Sequence, residues 1–267
     1  MRRLLLGLSL DALGQPPRQG LLSAAKLGVS GVQIDAAGDL APDRLTATGR
    51  REFRTLLRSF NLSLAAVVCP LRRGLDVADD QQQRVEYVGK VLQLAADLGC
   101  RTVIVPLPKL PGEEPTPRGT ILREAVADLG RCADRLGVRL AVEPGLDVGD
   151  AVAKYLDGFD TGGLAACYDP TNFLLNRLDP LAALRALGGR VAVVQARDGR
   201  TVSVSGGGTE TAVGAGDLDW FSVIATLDAA DYRGFVVVDR EGGPDRPGDV
   251  AAGVKFLRRF VPADQPT

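Results

Sequence analysis

The stretch Arg135-Leu-Gly-Val-Arg-Leu-Ala-Val-Glu-Pro144 joins the end of a helical segment to a short apolar segment, and this unit decides the fold. Similar units begin at Lys26 and Asp97, and a looser one begins at Leu187. Glycine directly after a helix adopts the left-handed conformation that ends the helix at little cost. The apolar run that follows is nearly continuous, which is typical of a parallel strand buried on both faces. The sequence therefore predicts repeated helix-strand units around a parallel sheet.

Eight such apolar runs occur along the 267 residues, with helical segments between them. Eight strand-helix units of about 33 residues each fit the roughly 250 residues of a (β/α)8 barrel. An open, doubly wound sheet usually has a glycine-rich phosphate loop after its first strand, and residues 9–14 do not form one. We therefore predict an α/β fold, a (β/α)8 TIM barrel with a single domain over residues 1–267. The predicted strands are residues 3–10, 31–35, 62–69, 102–107, 140–143, 164–169, 191–196 and 234–239.

The composition excludes several classes of protein and of site. The 45% share of hydrophobic residues is too high for a disordered chain. With 32 Lys and Arg against 33 Asp and Glu, the net charge of −1 argues against a nucleic-acid-binding protein. The sequence has no histidine, which excludes a Ser-His-Asp triad, a histidine-ligated metal and imidazole acid-base catalysis.

The sequence also bears on the location of the protein. No apolar run reaches the ~20 residues of a membrane span. The first ten residues lack the cleavage site of a secretory signal, and we interpret them as the first strand. The four cysteines are widely spaced, as expected for reduced thiols in a cytoplasmic protein.

Carboxylates are frequent where the predicted strands end, which is where the active sites of TIM barrels lie. Like charges brought together repel unless a cation, protons or a cationic ligand offsets them. The sequence therefore predicts a polar site at this end of the barrel. The acidic residues at the strand ends are Asp11, Asp35, Glu143, Asp169, Asp198, Asp239 and Glu241.

Five motifs follow one another on or after the last four predicted strands: Ala141-Val-Glu-Pro144, Tyr168-Asp-Pro-Thr-Asn172, Gln195-Ala-Arg-Asp198, Val213-Gly-Ala-Gly-Asp-Leu-Asp-Trp220 and Val238-Asp-Arg-Glu-Gly242. With these motifs in this order, the sequence resembles the xylose isomerase-like TIM barrel family. That family contains sugar isomerases and epimerases, inosose dehydratases and endonuclease-IV-type enzymes.

The resemblance implies one divalent metal, held by Glu, Asp, His and Glu on the fifth to eighth strands. Glu143 and Asp169 match this pattern, whereas Gln195 stands at the histidine position and Asp239 at the position of the last glutamate. Such an all-oxygen set suits Mg²⁺ or Mn²⁺ better than Zn²⁺. Alternatively, the barrel has lost the metal and binds a polyol or sugar acid without turnover. Glu241 can replace Asp239, because residues two apart on a strand share a face.

The resemblance further implies an isomerase or epimerase that moves a proton next to the carbonyl group of a small carbohydrate. Glu143 and Asp239 are the expected base and acid, with Glu241 as a further catalytic candidate. The expected substrate-binding residues are Asn172, Arg197, Asp198 and Arg240, and either arginine can pair with a carboxylate or phosphate.

Other functions in the same family place different demands on the sequence. A lyase resembling inosose dehydratase stays open, because its proton abstraction uses the same residues. An endonuclease-IV-like phosphodiesterase would need a histidine-rich zinc cluster and a basic face, and the sequence has neither. We expect no nucleotide cofactor, nucleic-acid partner or membrane contact, and a homo-oligomer stays open. Residues 201–213 predict a hairpin over the mouth, either a lid or an exposed loop.

Overall fold

The computed structural model describes residues 4–112, 114–202 and 208–260. Eight parallel strands form a closed barrel in the order β1, β2, β3, β4, β5, β6, β7, β10, which confirms the predicted fold class. These strands are β1 Leu5–Ser9, β2 Gly31–Asp35, β3 Ser63–Val68, β4 Thr102–Pro106, β5 Arg139–Glu143, β6 Leu164–Tyr168, β7 Val191–Ala196 and β10 Phe235–Val238. Each overlaps one predicted strand. The predicted start of the first, at residue 3, lies outside the described residues.

Helices connect the strands and cover the outside of the barrel. They are α1 Pro17–Lys26, α2 Ala47–Ser59, α3 Gln81–Leu98, α4 Pro117–Leu136, α5 Gly149–Asp157, α6 Pro170–Leu175, α7 Pro180–Leu187, α8 Trp220–Ala229 and α9 Arg246–Leu257. No helix within the described ranges is long and apolar enough to cross a membrane.

Glycine ends the helices as the repeated unit predicts. Gly99 after α3 and Gly137 after α4 have φ angles of 76° and 64°, in the left-handed region. The N–H of each donates back to the last turn of its helix, to the carbonyls of Ala95 and Ala133 respectively. The chain then turns directly into the next buried strand.

The interior of the barrel is packed by a cluster of mostly small side chains, distinct from the larger core between strands and helices. Because alternate residues of a strand share a face, this cluster fixes which residues face inward at the mouth. Ala141 lies two residues before Glu143, Val193 two before Gln195, and Val237 two before Asp239. The interior cluster consists of Ala65, Ala66, Ile104, Ala141, Ala165, Cys167, Ala192, Val193 and Val237.

A two-stranded antiparallel hairpin follows β7 on the mouth side of the barrel. Its strands are β8 Asp198–Thr201 and β9 Gly208–Thr211, with Asp198 opposite Thr211. The sequence predicts the hairpin over residues 201–213. In the structure its first strand begins three residues earlier, at Asp198, with one residue between it and the end of β7. Residues 203–207, which fall within the predicted hairpin, lie outside the described residues.

Candidate functional site

The C-terminal mouth of the barrel contains a cavity of about 180 Å³ with a strongly polar lining. A larger cavity, of about 300 Å³, lies at the opposite end, and glycine and apolar residues dominate its lining. The convergence of charged groups, rather than volume, identifies the mouth as the candidate site. Five of the predicted site residues line the mouth cavity: Glu143, Gln195, Arg197, Asp239 and Glu241.

Arg197 is the central cation of the mouth, and it contacts three carboxylates. Its Nη1 lies 3.0 Å from Asp169 Oδ2 and 2.8 Å from Glu241 Oε1, and its Nε lies 3.0 Å from Glu210 Oε1. Arg197 is only 7% exposed. Three contacts from three segments of the chain therefore hold this guanidinium in one position.

Asp169 is fully buried, and it lies behind Arg197 rather than in the cavity lining. Its Oδ1 accepts hydrogen bonds from the N–H groups of Thr171, at 2.8 Å, and Asn172, at 3.3 Å, and thereby caps α6. Its Oδ2 accepts from Arg197 at 3.0 Å. Burial raises the pKa of Asp169 above its ordinary value, although Arg197 and the two N–H groups lower it. Both carboxylate oxygens are therefore already engaged.

Glu143 and Asp239 approach the cavity from strands that are separated by β6 and β7 around the barrel. Burial, and next the charge of Asp169, raises the pKa of Glu143 to about 8. Burial likewise raises the pKa of Asp239. The hydrogen bond that Asp239 Oδ1 accepts from the Arg240 N–H at 2.8 Å lowers this pKa, but by less. Neither carboxylate forms an ion pair within the described ranges. Both groups are thus poorly neutralised and face a ligand-sized space.

Two glutamines form a hydrogen bond across the barrel interior. Gln195 Nε2 on β7 donates to Gln33 Oε1 on β2 at 2.7 Å, and both side chains are buried. Gln195 Oε1 has no hydrogen-bond partner within residues 4–112, 114–202 and 208–260. A buried carbonyl oxygen without a donor is costly, so Gln195 is suited to accept a hydrogen bond from a ligand hydroxyl.

Three of the expected substrate-binding residues lie outside the cavity lining. Asp198 is fully buried and accepts from the Gly214 N–H at 2.9 Å and from Trp220 Nε1 at 3.0 Å, so it anchors the segment after the hairpin. Arg240 is buried between Asp249, at 2.8 Å, and Glu210, at 2.9 Å. Asn172 lies in the first turn of α6, where its N–H donates to the capping carboxylate of Asp169. The structure therefore assigns these three residues supporting contacts around the mouth.

Glu210 is the supporting residue that the sequence did not reveal. From β9 of the hairpin, it contacts Arg197 and Arg240 and accepts from the N–H groups of Glu241, at 3.1 Å, and Gly242, at 2.9 Å. Burial alone would raise the pKa of Glu210, but these N–H groups and Arg197 hold it below its ordinary value. Glu210 follows no barrel strand, so the rule that active sites lie at strand ends could not find it.

Two further carboxylates line the cavity from the first two strands, Asp11 and Asp35. Asp11 pairs with Arg246 at 2.6 Å. Burial, and then the charges of Asp11 and Asp239, raises the pKa of Asp35 to about 6. Asp35 ends a predicted strand and Asp11 directly follows one, so the strand-end rule does identify them.

Comparison with known proteins agrees with this architecture. A model of the xylose isomerase-like TIM barrel family matches residues 21–260, which is most of the chain. The chain belongs to this family. A search of the curated proteins found no match to the sequence.

Solved structures with the same fold cover nearly the whole chain at low sequence identity. A xylose isomerase domain protein from Planctomyces limnophilus is 22% identical over 97% of this chain and 98% of that chain, with a TM-score of 0.86. A D-psicose 3-epimerase from Clostridium cellulolyticum H10, solved with D-tagatose, is 14% identical over 96% and 99%, with a TM-score of 0.76. A xylose isomerase-like TIM barrel protein from Mycobacterium smegmatis, solved with magnesium, is 14% identical over 97% and 96%, with a TM-score of 0.76.

In this xylose isomerase-like barrel, the arrangement of the four predicted metal ligands does not fit a divalent metal. Asp169 has both oxygens engaged and is paired with a buried guanidinium. Gln195 donates its amide to Gln33. Within the described ranges, no three His, Cys, Asp or Glu side chains lie close enough together to hold a metal ion. We therefore assign no chemical step to a metal.

Proposed function

We propose that this chain moves a proton next to the carbonyl group of a small carbohydrate, as a sugar isomerase or epimerase. One observation carries the proposal: Glu143 and Asp239 line the same cavity from separate strands, and neither forms an ion pair within the described residues. A reaction of this kind needs one group that removes a proton from carbon and a second group that returns a proton. Membership in a family of sugar isomerases and epimerases supports the same assignment.

The remaining groups of the cavity suit a polyhydroxylated substrate. Ser9, Gln33 and Gln195 offer uncharged hydrogen-bonding groups, and Gln195 Oε1, which has no donor among the described residues, can accept from a hydroxyl. The small interior side chains beneath them leave room at the centre of the mouth. In this arrangement the group that is ionised takes the proton from the carbon beside the carbonyl, and the group that is protonated gives up its own proton. In epimerisation that proton goes to the opposite face of the same carbon. In isomerisation it goes to the carbonyl carbon, while the proton of the neighbouring hydroxyl passes to the former carbonyl oxygen.

Deuterium exchange tests the proposal without knowledge of the product. The protein is incubated in D₂O with a panel of ketoses and aldoses, and nuclear magnetic resonance follows deuterium entry at the carbon beside the carbonyl. We expect exchange with at least one sugar, and Glu143→Gln or Asp239→Asn should slow it about a hundredfold or more. Glu124→Gln, on the exposed face of α4, is the control and should exchange like the wild type. Exchange that persists in both cavity variants would contradict the proposed roles.

The ion pair between Asp169 and Arg197 favours a second candidate, a barrel that binds a carbohydrate without turnover. This ion pair occupies the carboxylate of Asp169, which the family resemblance assigns to the metal. Titration calorimetry with the same sugar panel distinguishes the two candidates. Binding that depends on Gln195, with no deuterium exchange for any sugar, would establish the second candidate and exclude the first.

A further inference from the structure

The mouth of the barrel already contains a fixed positive charge, the guanidinium of Arg197. Its Nη1 is shared between Asp169 and Glu241, and its Nε contacts Glu210. Glu210 is itself fixed by Arg240 and by the N–H groups of Glu241 and Gly242. The cation is therefore part of a closed set of charged contacts rather than a mobile side chain.

The position of this charge is informative, because Asp169 is the residue that the family resemblance assigns to the metal. A hard divalent cation binds carboxylate oxygens at roughly 2.0 to 2.6 Å. Arg197 Nη1 lies 3.0 Å from Asp169 Oδ2, and the second oxygen of Asp169 caps α6. A metal on Asp169 would have to displace the guanidinium, since two cations cannot share one carboxylate in a buried site without strong repulsion.

We propose that Arg197 takes the place of the divalent cation in this barrel, so that the site carries its positive charge without a metal and excludes Mg²⁺ and Mn²⁺. A guanidinium stays protonated throughout the physiological range, so this charge cannot be lost by titration. The planar guanidinium also directs its N–H groups to several carboxylates at once, and the ammonium group of a lysine would not reproduce this arrangement.

The same guanidinium has hydrogen-bonding capacity left for a ligand. The N–H groups on Nε and Nη1 point to carboxylates, whereas those on Nη2 have no partner within the described part of the chain. Arg197 lines the cavity together with Glu143 and Asp239. If the proposed function holds, Nη2 is the donor for the carbonyl oxygen, on which negative charge develops when the neighbouring proton leaves.

Manganese binding tests the replacement directly, with the metal alone as the probe. Electron paramagnetic resonance and titration calorimetry follow Mn²⁺ added to chelator-treated protein. We expect no specific binding to the wild type. Arg197→Gln should bind one Mn²⁺ roughly tenfold more tightly or better, because Asp169 and Glu241 lose the counter-charge that they share. Mn²⁺ should also raise the melting temperature of this variant and leave that of the wild type unchanged.

Arg246→Gln is the matched control, because it removes an arginine from the same cavity and changes the net charge equally. Arg246 pairs with Asp11 rather than with Asp169, so its loss should not create Mn²⁺ binding. Equal gains in the two variants, no gain in Arg197→Gln, or tight Mn²⁺ binding by the wild type would each overturn the proposal. If Arg197→Gln does not fold, the wild type and Arg197→Lys test the proposal, because both keep a positive charge beside Asp169 and should exclude Mn²⁺, and tight Mn²⁺ binding by either would overturn it.

The catalytic part of the inference has a separate measurement. With a sugar that undergoes exchange in D₂O, chelator-treated wild type should retain its full rate, and added Mn²⁺ should not increase it. A rate that requires Mn²⁺ would overturn the replacement. If no sugar undergoes exchange, the proposed function fails, while the binding measurements still decide whether Arg197 replaces the cation.

Discussion

Burial raises the pKa of three carboxyl groups in the lining of the mouth cavity, Asp35, Glu143 and Asp239. Asp35, at the end of β2, faces the carboxylates of Asp11 and Asp239, and Arg246 offsets them only in part. Burial is the largest cause, and repulsion from these two carboxylates the next, of the rise in the pKa of Asp35 from 3.8 to about 6. The side chain therefore stays protonated in the folded protein at pH values where the unfolded chain has already released the proton.

This shift predicts how stability depends on pH. Between about pH 4 and pH 6 the folded state holds the Asp35 proton and the unfolded state does not, so the free energy of unfolding falls as the pH rises. Asp35→Asn cannot ionise and should be more stable than the wild type above pH 6, by about 1 to 2 kcal/mol after allowance for solvent screening. At pH 4 the advantage should disappear. Urea unfolding at pH 4 and pH 7.5 measures it, and an equal difference at both pH values would rule out this cause.

Asp198 illustrates how a strand-end acid can serve the structure rather than the ligand. It is fully buried, and it accepts hydrogen bonds from Gly199, Gly214 and Trp220. Asp198→Asn would present N–H groups to these donors and should lower the free energy of unfolding by about 2 to 3 kcal/mol. Trp220, the only tryptophan, allows its fluorescence to follow the unfolding. Asp217→Asn, on the exposed surface nearby, is the control and should destabilise the protein less than Asp198→Asn does.

At the scale of elements, Glu210 links the β8–β9 hairpin to the charged groups of the mouth. Its two oxygens contact Arg197, Arg240 and the N–H groups of Glu241 and Gly242. Both arginines are buried and depend on this counter-charge. The hairpin is therefore a component of the site.

Neutralising that carboxylate should affect both the hairpin and the site. Glu210→Gln keeps the shape of the side chain but leaves two buried guanidinium groups undercompensated, and it should destabilise the protein by about 3 kcal/mol. Amide hydrogen exchange should rise at Glu241 and Gly242, which lose a charged acceptor. Glu52→Gln, exposed on α2, is the control. Unchanged exchange at Glu241 and Gly242 would show that the anchor lies elsewhere.

At the scale of the whole molecule, closure of the barrel depends on close approach between strands. Gly31 on β2 faces Phe235 on β10, and a Cβ at Gly31 would overlap the Phe235 ring. Gly31→Ala should therefore lower the free energy of unfolding by about 1 to 3 kcal/mol, through overpacking inside the barrel. Gly89→Ala on α3, where the new methyl group meets no atom of the described residues within 4 Å, should stabilise the protein by about 0.5 to 1 kcal/mol. Chemical denaturation of the two variants measures this opposite effect of the same substitution.

The barrel was predictable from the sequence because its signals are local. Glycines such as Gly99 and Gly137 end helices, and the apolar runs after them are long enough to identify each strand. The inward positions of Glu143, Gln195 and Asp239 follow from strand alternation only once the interior cluster shows which face of each strand points into the barrel. The partners of these side chains could not be predicted. Glu210 reaches Arg197 from the hairpin, and the pairing of Arg197 with Asp169 depends on where two separate segments meet in space.

Glu210 contacts both the guanidinium of Arg197 inside the mouth and the backbone N–H of Gly242 at its rim. Ligand binding in the cavity and attachment of the hairpin therefore both depend on Glu210. Thermodynamic linkage then makes the two events reciprocal. If an anion or a hydroxyl compound stabilises Arg197 in its present position, it stabilises the attached hairpin by the same free energy. Equally, any molecule that pulls the hairpin away must weaken affinity for the compound inside.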